Sequence, residues 1–171
     1  MQDRTVGHAL EQVMPVKISF DLDDTIILRE TSPLIEPPLP KPAGLLYHER
    51  LRLGVVALCA RLQDAGWQVC VYTQSIRPKW YIRGLFARYG ISLALIVNRC
   101  EHEKSVQWDK HKEKPKKLPI KFGIDLHVDD DERVSGYGER YGFPVVLLDP
   151  RDAGWADKVW ERAAGLSQRN N

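Results

Sequence analysis

Two short runs of acidic side chains are the residues in this chain best placed to do chemistry. Residues 16–25 read Val16-Lys17-Ile18-Ser19-Phe20-Asp21-Leu22-Asp23-Asp24-Thr25. Val16, Ile18 and Phe20 alternate with Lys17 and Ser19, as a strand with one buried face should. Three acids then fall within four positions. Crowded like charges cost free energy unless something positive lies among them. A strand that ends in carboxylates is therefore a candidate cation site, and oxygen-only ligands favour Mg²⁺. Residues 124–131 repeat the pattern as Ile124-Asp125-Leu126-His127-Val128-Asp129-Asp130-Asp131. In a parallel sheet both strand ends fall on one edge, where open α/β folds bind ligands.

These motifs resemble those of the haloacid dehalogenase (HAD) superfamily of phosphohydrolases. Asp21-Leu22-Asp23-Asp24-Thr25 matches its first motif, a strand followed by Asp-x-Asp-x-Thr. Val69-Cys70-Val71-Tyr72-Thr73 matches its second, a strand ending in Thr or Ser. Val128-Asp129-Asp130 matches its fourth, a strand ending in paired acids. The third motif is a lone lysine, for which Lys110, Lys114, Lys116 and Lys117 are candidates. Lys117 is preferred because it precedes a helix start at Pro119. The resemblance spans residues 16–150. It implies a Rossmann-like three-layer α/β/α sandwich with a parallel five-stranded sheet in the order 5-4-1-2-3, without a large cap domain.

The resemblance also implies a division of labour. Phosphoryl transfer needs a nucleophile, positive charge at the equatorial oxygens and a proton donor for the leaving oxygen. Asp21 is the nucleophile, because a carboxylate can form an acyl-phosphate. Asp23 protonates the leaving group and then activates water. Thr73 donates to a phosphoryl oxygen, with Ser75 as the substitute if the strand runs longer. Lys117 offsets phosphate charge and braces Asp21. The Mg²⁺ shell draws on Asp21, Asp23, Asp129 and Asp130, with Asp129 as the direct ligand and Asp130 acting through water. Asp131 starts the following helix; if the strand extends by one residue, the pair becomes Asp130 and Asp131. Asp24 faces away or caps the turn, and Thr25 holds the loop.

The elements that must position these groups alternate between strand and helix, as a parallel sheet with helices on both faces requires. The expected strands cover 16–22, 67–73, 93–97, 124–130 and 143–148. A helix is expected over 45–65, with Leu51, Val55, Leu58 and Leu62 on one face and Gly66 as its stop. Others are expected from the Ser75–Pro78 start to Tyr89, over 131–141 and over 155–165. A short helix before Pro15 is also expected. Residues 31–42 hold five prolines, which exclude a helix, so 26–44 reads as a semi-rigid flap. Residues 99–121 carry eight basic side chains against four acids with little apolar period, so 99–118 reads as a basic loop.

At 171 residues the chain reads as one domain. Its net charge of +2 argues against wholesale nucleic-acid binding, although the basic segment could track a backbone and Trp108 could stack on a base. No apolar run approaches membrane-spanning length and the N-terminus lacks a signal-peptide pattern. Three cysteines suit a cytoplasmic protein without structural disulfides. His127 reads as a packed strand histidine. Cys100, His102 and His111 match no common zinc spacing. The leading expectation is a Mg²⁺-dependent phosphatase acting on a phosphorylated small molecule or macromolecular end. Its competitors are a nucleic-acid end-processing phosphatase and a non-catalytic binding module that keeps the fold.

Overall fold

The computed structural model describes residues 16–106 and 115–168. The apolar runs become five strands: β1 (Lys17–Phe20), β2 (Gln68–Tyr72), β3 (Leu95–Val97), β4 (Leu126–Asp129) and β5 (Val145–Leu147). They form one sheet in the order β3-β2-β1-β4-β5, and every neighbouring pair is parallel. This is the expected 5-4-1-2-3 order with β1 at the centre. The helices are α1 (Ala43–Leu46), α2 (Val55–Asp64), α3 (Lys79–Arg88), α4 (Arg99–Val106), α5 (Glu132–Tyr141) and α6 (Trp155–Ser167). Together they make a three-layer α/β/α sandwich.

Strand alternation gives the two sheet faces different work. Ile18, Phe20, Val69, Val71, Leu126 and Val128 join the main core with Leu58 and Leu62 of α2, Ile82 and Phe86 of α3, and Val159 of α6. The intervening positions Ser19, Tyr72 and His127 point to the other face. They are polar yet fully buried, so each needs a hydrogen-bond partner. Those partners turn out to belong to the acidic cluster and its surroundings.

Two expectations need correction. The helix expected over 45–65 starts at Val55, because 51–53 are held in extended pairing. Leu51 bridges Ile27, and Arg52 bridges Ile35. The Glu36 amide donates to the Leu51 carbonyl (2.7 Å), and the Leu53 amide to the Leu34 carbonyl (2.9 Å). Gly54, at φ 91°, then turns the chain into α2, a conformation that favours glycine. Leu51 is buried as expected, but by strand-like pairing. The second correction concerns the basic segment. Arg99–Val106 form α4, whose buried residues are His102 and Val106, one turn apart. A histidine at a core position hides the helical period from an apolar count. Asn98 caps this helix, its Oδ1 accepting from the Glu101 amide (3.1 Å). Residues 107–114, with Trp108, Lys110, His111 and Lys114, and the helix expected before Pro15 lie outside the described residues.

Register brings the candidate site residues to one edge of the sheet. Phe20 is level with Val71 of β2 and Val128 of β4. Asp21 and Asp129 therefore leave the sheet side by side, and the Asp21 amide donates to the Val128 carbonyl (2.9 Å). Thr73 follows β2 onto the same edge, its amide donating to the Val97 carbonyl (2.9 Å). Among the described residues no helix is long and apolar enough to cross a membrane.

Candidate active site

Asp21, Asp129 and Asp130 each place a carboxylate oxygen within 4.8 Å of the others. Lys117 is the cation among them. Its Nζ lies 2.8 Å from Asp21 Oδ1 and 2.5 Å from Asp129 Oδ2, with all three side chains buried or nearly so. The segment carrying Lys117 is fixed from below. The Leu118 amide donates to the Tyr72 hydroxyl (2.8 Å), which is paired with His102 Nδ1 at 2.6 Å. Pro119 then opens a 3₁₀ turn over Pro119–Phe122, as its fixed φ allows.

His127 does more than fill space. Its Nδ1 lies 2.8 Å from Ser19 Oγ and its Nε2 lies 2.8 Å from Asp129 Oδ2. Complete burial pushes the imidazole pKa down, so the ring is neutral. The carboxylate on Nε2 then takes the ring N–H, and Nδ1 accepts from the Ser19 hydroxyl. Burial alone would raise the Asp129 pKa. The His127 hydrogen bond and the Lys117 charge outweigh it and hold Asp129 well below the usual carboxylate range. Asp21 goes the other way. Its burial outweighs Lys117, and the Asp129 charge adds to the effect, raising its carboxyl to about 6. Burial also raises Asp130.

The oxygens of these acids are unequally committed. Asp129 Oδ2 serves both Lys117 and His127, and Oδ1 accepts from the Asp131 amide (2.9 Å). Asp130 Oδ1 accepts from the Thr25 hydroxyl (2.7 Å); its Oδ2 accepts no hydrogen bond among the described residues. Asp21 Oδ1 is buried and accepts no aligned hydrogen bond, although the Lys117 ammonium is close. An orphaned buried carboxylate oxygen beside two more oxygen donors fits a hard divalent cation. Asp131 is outside this group. It caps α5, its side chain accepting from the Arg133 amide, as expected of an acid at a helix start.

Thr73 is buried, and its Oγ1 accepts from the Ser75 amide (3.1 Å). Its own proton remains available to donate. Asp23 is placed differently from the other acids. It is not in the three-carboxylate group, and its side chain is 56% exposed. It forms a bidentate pair with Arg77, Nη1 to Oδ2 at 3.0 Å and Nη2 to Oδ1 at 2.8 Å. Asp24 makes the turn after it at φ 57°, which Asp tolerates better than most residues. A cavity of about 540 Å³ opens beside this turn, lined by Asp24, Asp130, Leu28 and Arg29 among others. It reaches neither Asp21 nor Lys117. Of the zinc candidates, Cys100 is exposed and His102 is turned inward to Tyr72; His111 is outside the described residues.

Sequence reasoning missed Arg77, its second partner Glu49, and the bond from His127 to Asp129. The last was accessible, because residues two apart on a strand share a face. The first two had no signal, since Arg77 read as a helix start and Glu49 as a helix interior.

No protein-family model matches this sequence, and no curated protein sequence matches it significantly. Solved structures do match. A chain of the Pnkp1/Rnl/Hen1 complex superposes with a TM-score of 0.52 at 18% identity, covering 81% of this chain and 47% of that one. The fold is haloacid-dehalogenase-like. This chain thus spans about half the length of the Pnkp1/Rnl/Hen1 chains it matches. Two further similarities cover most of both partners at lower scores. The HAD domain of effector protein Lem4 from Legionella pneumophila gives 17% identity and a TM-score of 0.46, covering 86% of this chain and 93% of that one. A predicted HAD-like family hydrolase from Porphyromonas gingivalis gives 13% and 0.45, covering 82% of this chain and 94% of that one.

Proposed function

We propose that the protein is a Mg²⁺-dependent phosphoric monoester hydrolase that works through an aspartyl-phosphate on Asp21. One observation carries this reading: Lys117 lies between Asp21 and Asp129 at the carboxyl edge, beside a third acid, Asp130, with an uncommitted oxygen. Asp21 attacks phosphorus and the P–O bond to the leaving group breaks. Lys117 has three N–H donors and gives one to Asp129 Oδ2, so its ammonium can also donate to a phosphoryl oxygen. Thr73 donates its hydroxyl proton to another. Asp23 takes up a proton from solvent, which releases one of its oxygens from Arg77, gives it to the leaving oxygen and then takes one from the water that hydrolyses the acyl-phosphate.

The residues that would hold the cation are Asp21 and Asp130, through the oxygens they leave free. This reverses the sequence-based order, in which Asp129 was the direct ligand. Asp129 is spent on Lys117, His127 and the Asp131 amide, so its work is to brace. The exposed Asp23 side chain does not join the shell. When bound, Mg²⁺ neutralises charge on the phosphoryl group and lowers the Asp21 carboxyl towards full ionisation. The rim is formed by 26–44, read as a flap, without an independent cap.

The test is a screen of small phosphate esters, phosphopeptides and 5′- or 3′-phosphorylated oligonucleotides with Mg²⁺, using Asp21→Asn as the blank. Release of phosphate by the native chain and not by the variant supports the reading. Turnover confined to oligonucleotides, weakening steeply with salt, identifies an end-processing phosphatase. Mg²⁺ binding without turnover of any class leaves the non-catalytic binding module. Full activity in excess chelator would sink the metal assignment.

A further inference from the structure

Arg77 has no role in the chemistry above, yet its side chain makes the densest set of charged contacts at the rim. Its guanidinium carries five N–H groups. Nη1 donates to Asp23 Oδ2 (3.0 Å) and Ser75 Oγ (2.7 Å). Nη2 donates to Asp23 Oδ1 (2.8 Å) and Glu49 Oε1 (2.5 Å). Nε donates to both Glu49 oxygens (3.1 and 3.0 Å). Every N–H is used, so none remains for a substrate oxygen.

The three partners come from three parts of the chain. Asp23 follows β1. Ser75 follows β2, and its amide is bonded to Thr73 Oγ1. Glu49 belongs to the segment between β1 and α2, just before the Leu51 and Arg52 pairings. Arg77 is itself anchored, its carbonyl accepting from Asn98 Nδ2 (3.1 Å). A planar fork that pairs bidentately with one carboxylate, while a second carboxylate and a hydroxyl fix its plane, orients the first carboxylate tightly.

We infer that Arg77 is a positioning residue for Asp23, and that Glu49 ties this orientation to the segment crossing the rim. The inference rests on the proposed role of Asp23 in proton transfer. Arg77 acts through Asp23 and does not touch the phosphoryl group. Ordering of the rim segment and alignment of the acid/base are then one event, because a single guanidinium holds both.

The experiment has two arms on the full chain. The first measures single-turnover release of the leaving group from an alkyl phosphate and a nitrophenyl phosphate. General acid–base help is worth about 10²–10⁴-fold, and a misaligned acid should lose part of it. Arg77→Ala should slow the alkyl ester about 10–100-fold and the aryl ester less than about threefold, with KM nearly unchanged. In an Asp23→Asn background it should add no more than about twofold, since the group it aligns is gone. Arg77→Lys, which keeps charge without the fork, should fold normally and show the same ester discrimination. Equal loss on both esters with a raised KM, or full additivity with Asp23→Asn, would mean that Arg77 binds substrate and would overturn the inference.

The second arm needs no activity. Arg77→Ala and Glu49→Gln should each speed hydrogen exchange at the Glu36 and Leu53 amides, which close the pairing beside Glu49. Unchanged exchange in both variants overturns the coupling. A native chain that turns over no ester would refute the phosphatase reading, and this arm alone would then decide whether the clamp exists.

Discussion

Lys117 and Arg77 each hold two carboxylates together, but in opposite surroundings. Lys117 lies between Asp21 and Asp129, with side-chain exposures of 4%, 12% and 0%. Arg77 lies between Asp23 and Glu49, with 23%, 56% and 16%. Water can solvate Asp23 if Arg77 is removed. It cannot reach Asp129 if Lys117 is removed. The inner unit is therefore part of the fold's stability as well as its chemistry, whereas the outer unit can be rearranged at little cost. On the proposed phosphatase reading, this division keeps the nucleophile rigid and leaves proton transfer to the rim.

The largest effect should come from the inner unit. Lys117→Met strands two buried acids, and breaking a buried pair from one side typically costs about 3–5 kcal/mol. Urea unfolding at pH 7.5 should show a loss of that order in metal-free buffer. A loss below about 1 kcal/mol would place Lys117 among ordinary surface pairs.

Asp21→Asn should work in the opposite direction. The Asp21 carboxyl is raised from 3.8 to about 6, so the folded state holds its proton more tightly than the unfolded one. That proton-linked stability is present below about pH 4 and is lost as pH rises through 6. Without metal, Asp21→Asn should therefore be the more stable protein at pH 7.5, by up to about 3 kcal/mol for a shift of about two units. The advantage should vanish near pH 4. Mg²⁺ should stabilise the native chain and leave the variant unmoved. A variant less stable than the native chain at pH 7.5 in chelator would contradict the burial argument.

His127→Leu tests the support of the inner unit. Its removal leaves the buried Ser19 hydroxyl without its ring partner and takes one hydrogen bond from Asp129 Oδ2, and urea unfolding in metal-free buffer should show a loss of about 1–3 kcal/mol. An unchanged unfolding free energy would make His127 a packing residue. The smallest effect belongs to the outer unit: Arg77→Met should change unfolding free energy by no more than about 1 kcal/mol. A loss matching that of Lys117→Met would erase the contrast between the two units.

Much of the inner unit was legible in the sequence, because local pattern encodes it. Alternation ending in acids located Asp21, Asp129 and Asp130. The proline after Leu118 drew attention to Lys117, and Asp131 read correctly as a helix cap. The parallel sheet followed from the alternation of elements, and the strand order from the family resemblance alone. The outer unit was not legible. Glu49 and Arg77 are far apart in sequence, and their meeting depends on residues 51–53 pairing with the rim segment. Leu51 kept helical spacing with Val55 while adopting extended backbone, which hid that pairing. The helix α4 escaped for a related reason: its core-facing positions include His102, whose burial depends on the Tyr72 hydroxyl across the sheet face.

The central claim is that Asp21 carries the phosphoryl group, and trapping that intermediate tests it most directly. Asp23→Asn should slow hydrolysis of the acyl-phosphate and let it accumulate. Asp23→Asn would be mixed with Mg²⁺ and an excess of nitrophenyl phosphate, quenched in acid after one turnover, digested and sequenced by mass spectrometry. The account predicts one phosphoryl group on Asp21, about stoichiometric with the nitrophenolate released, and none after chelation or in Asp21→Asn. Release of nitrophenolate with Asp21 unmodified, or with the phosphoryl group on another residue, would contradict it.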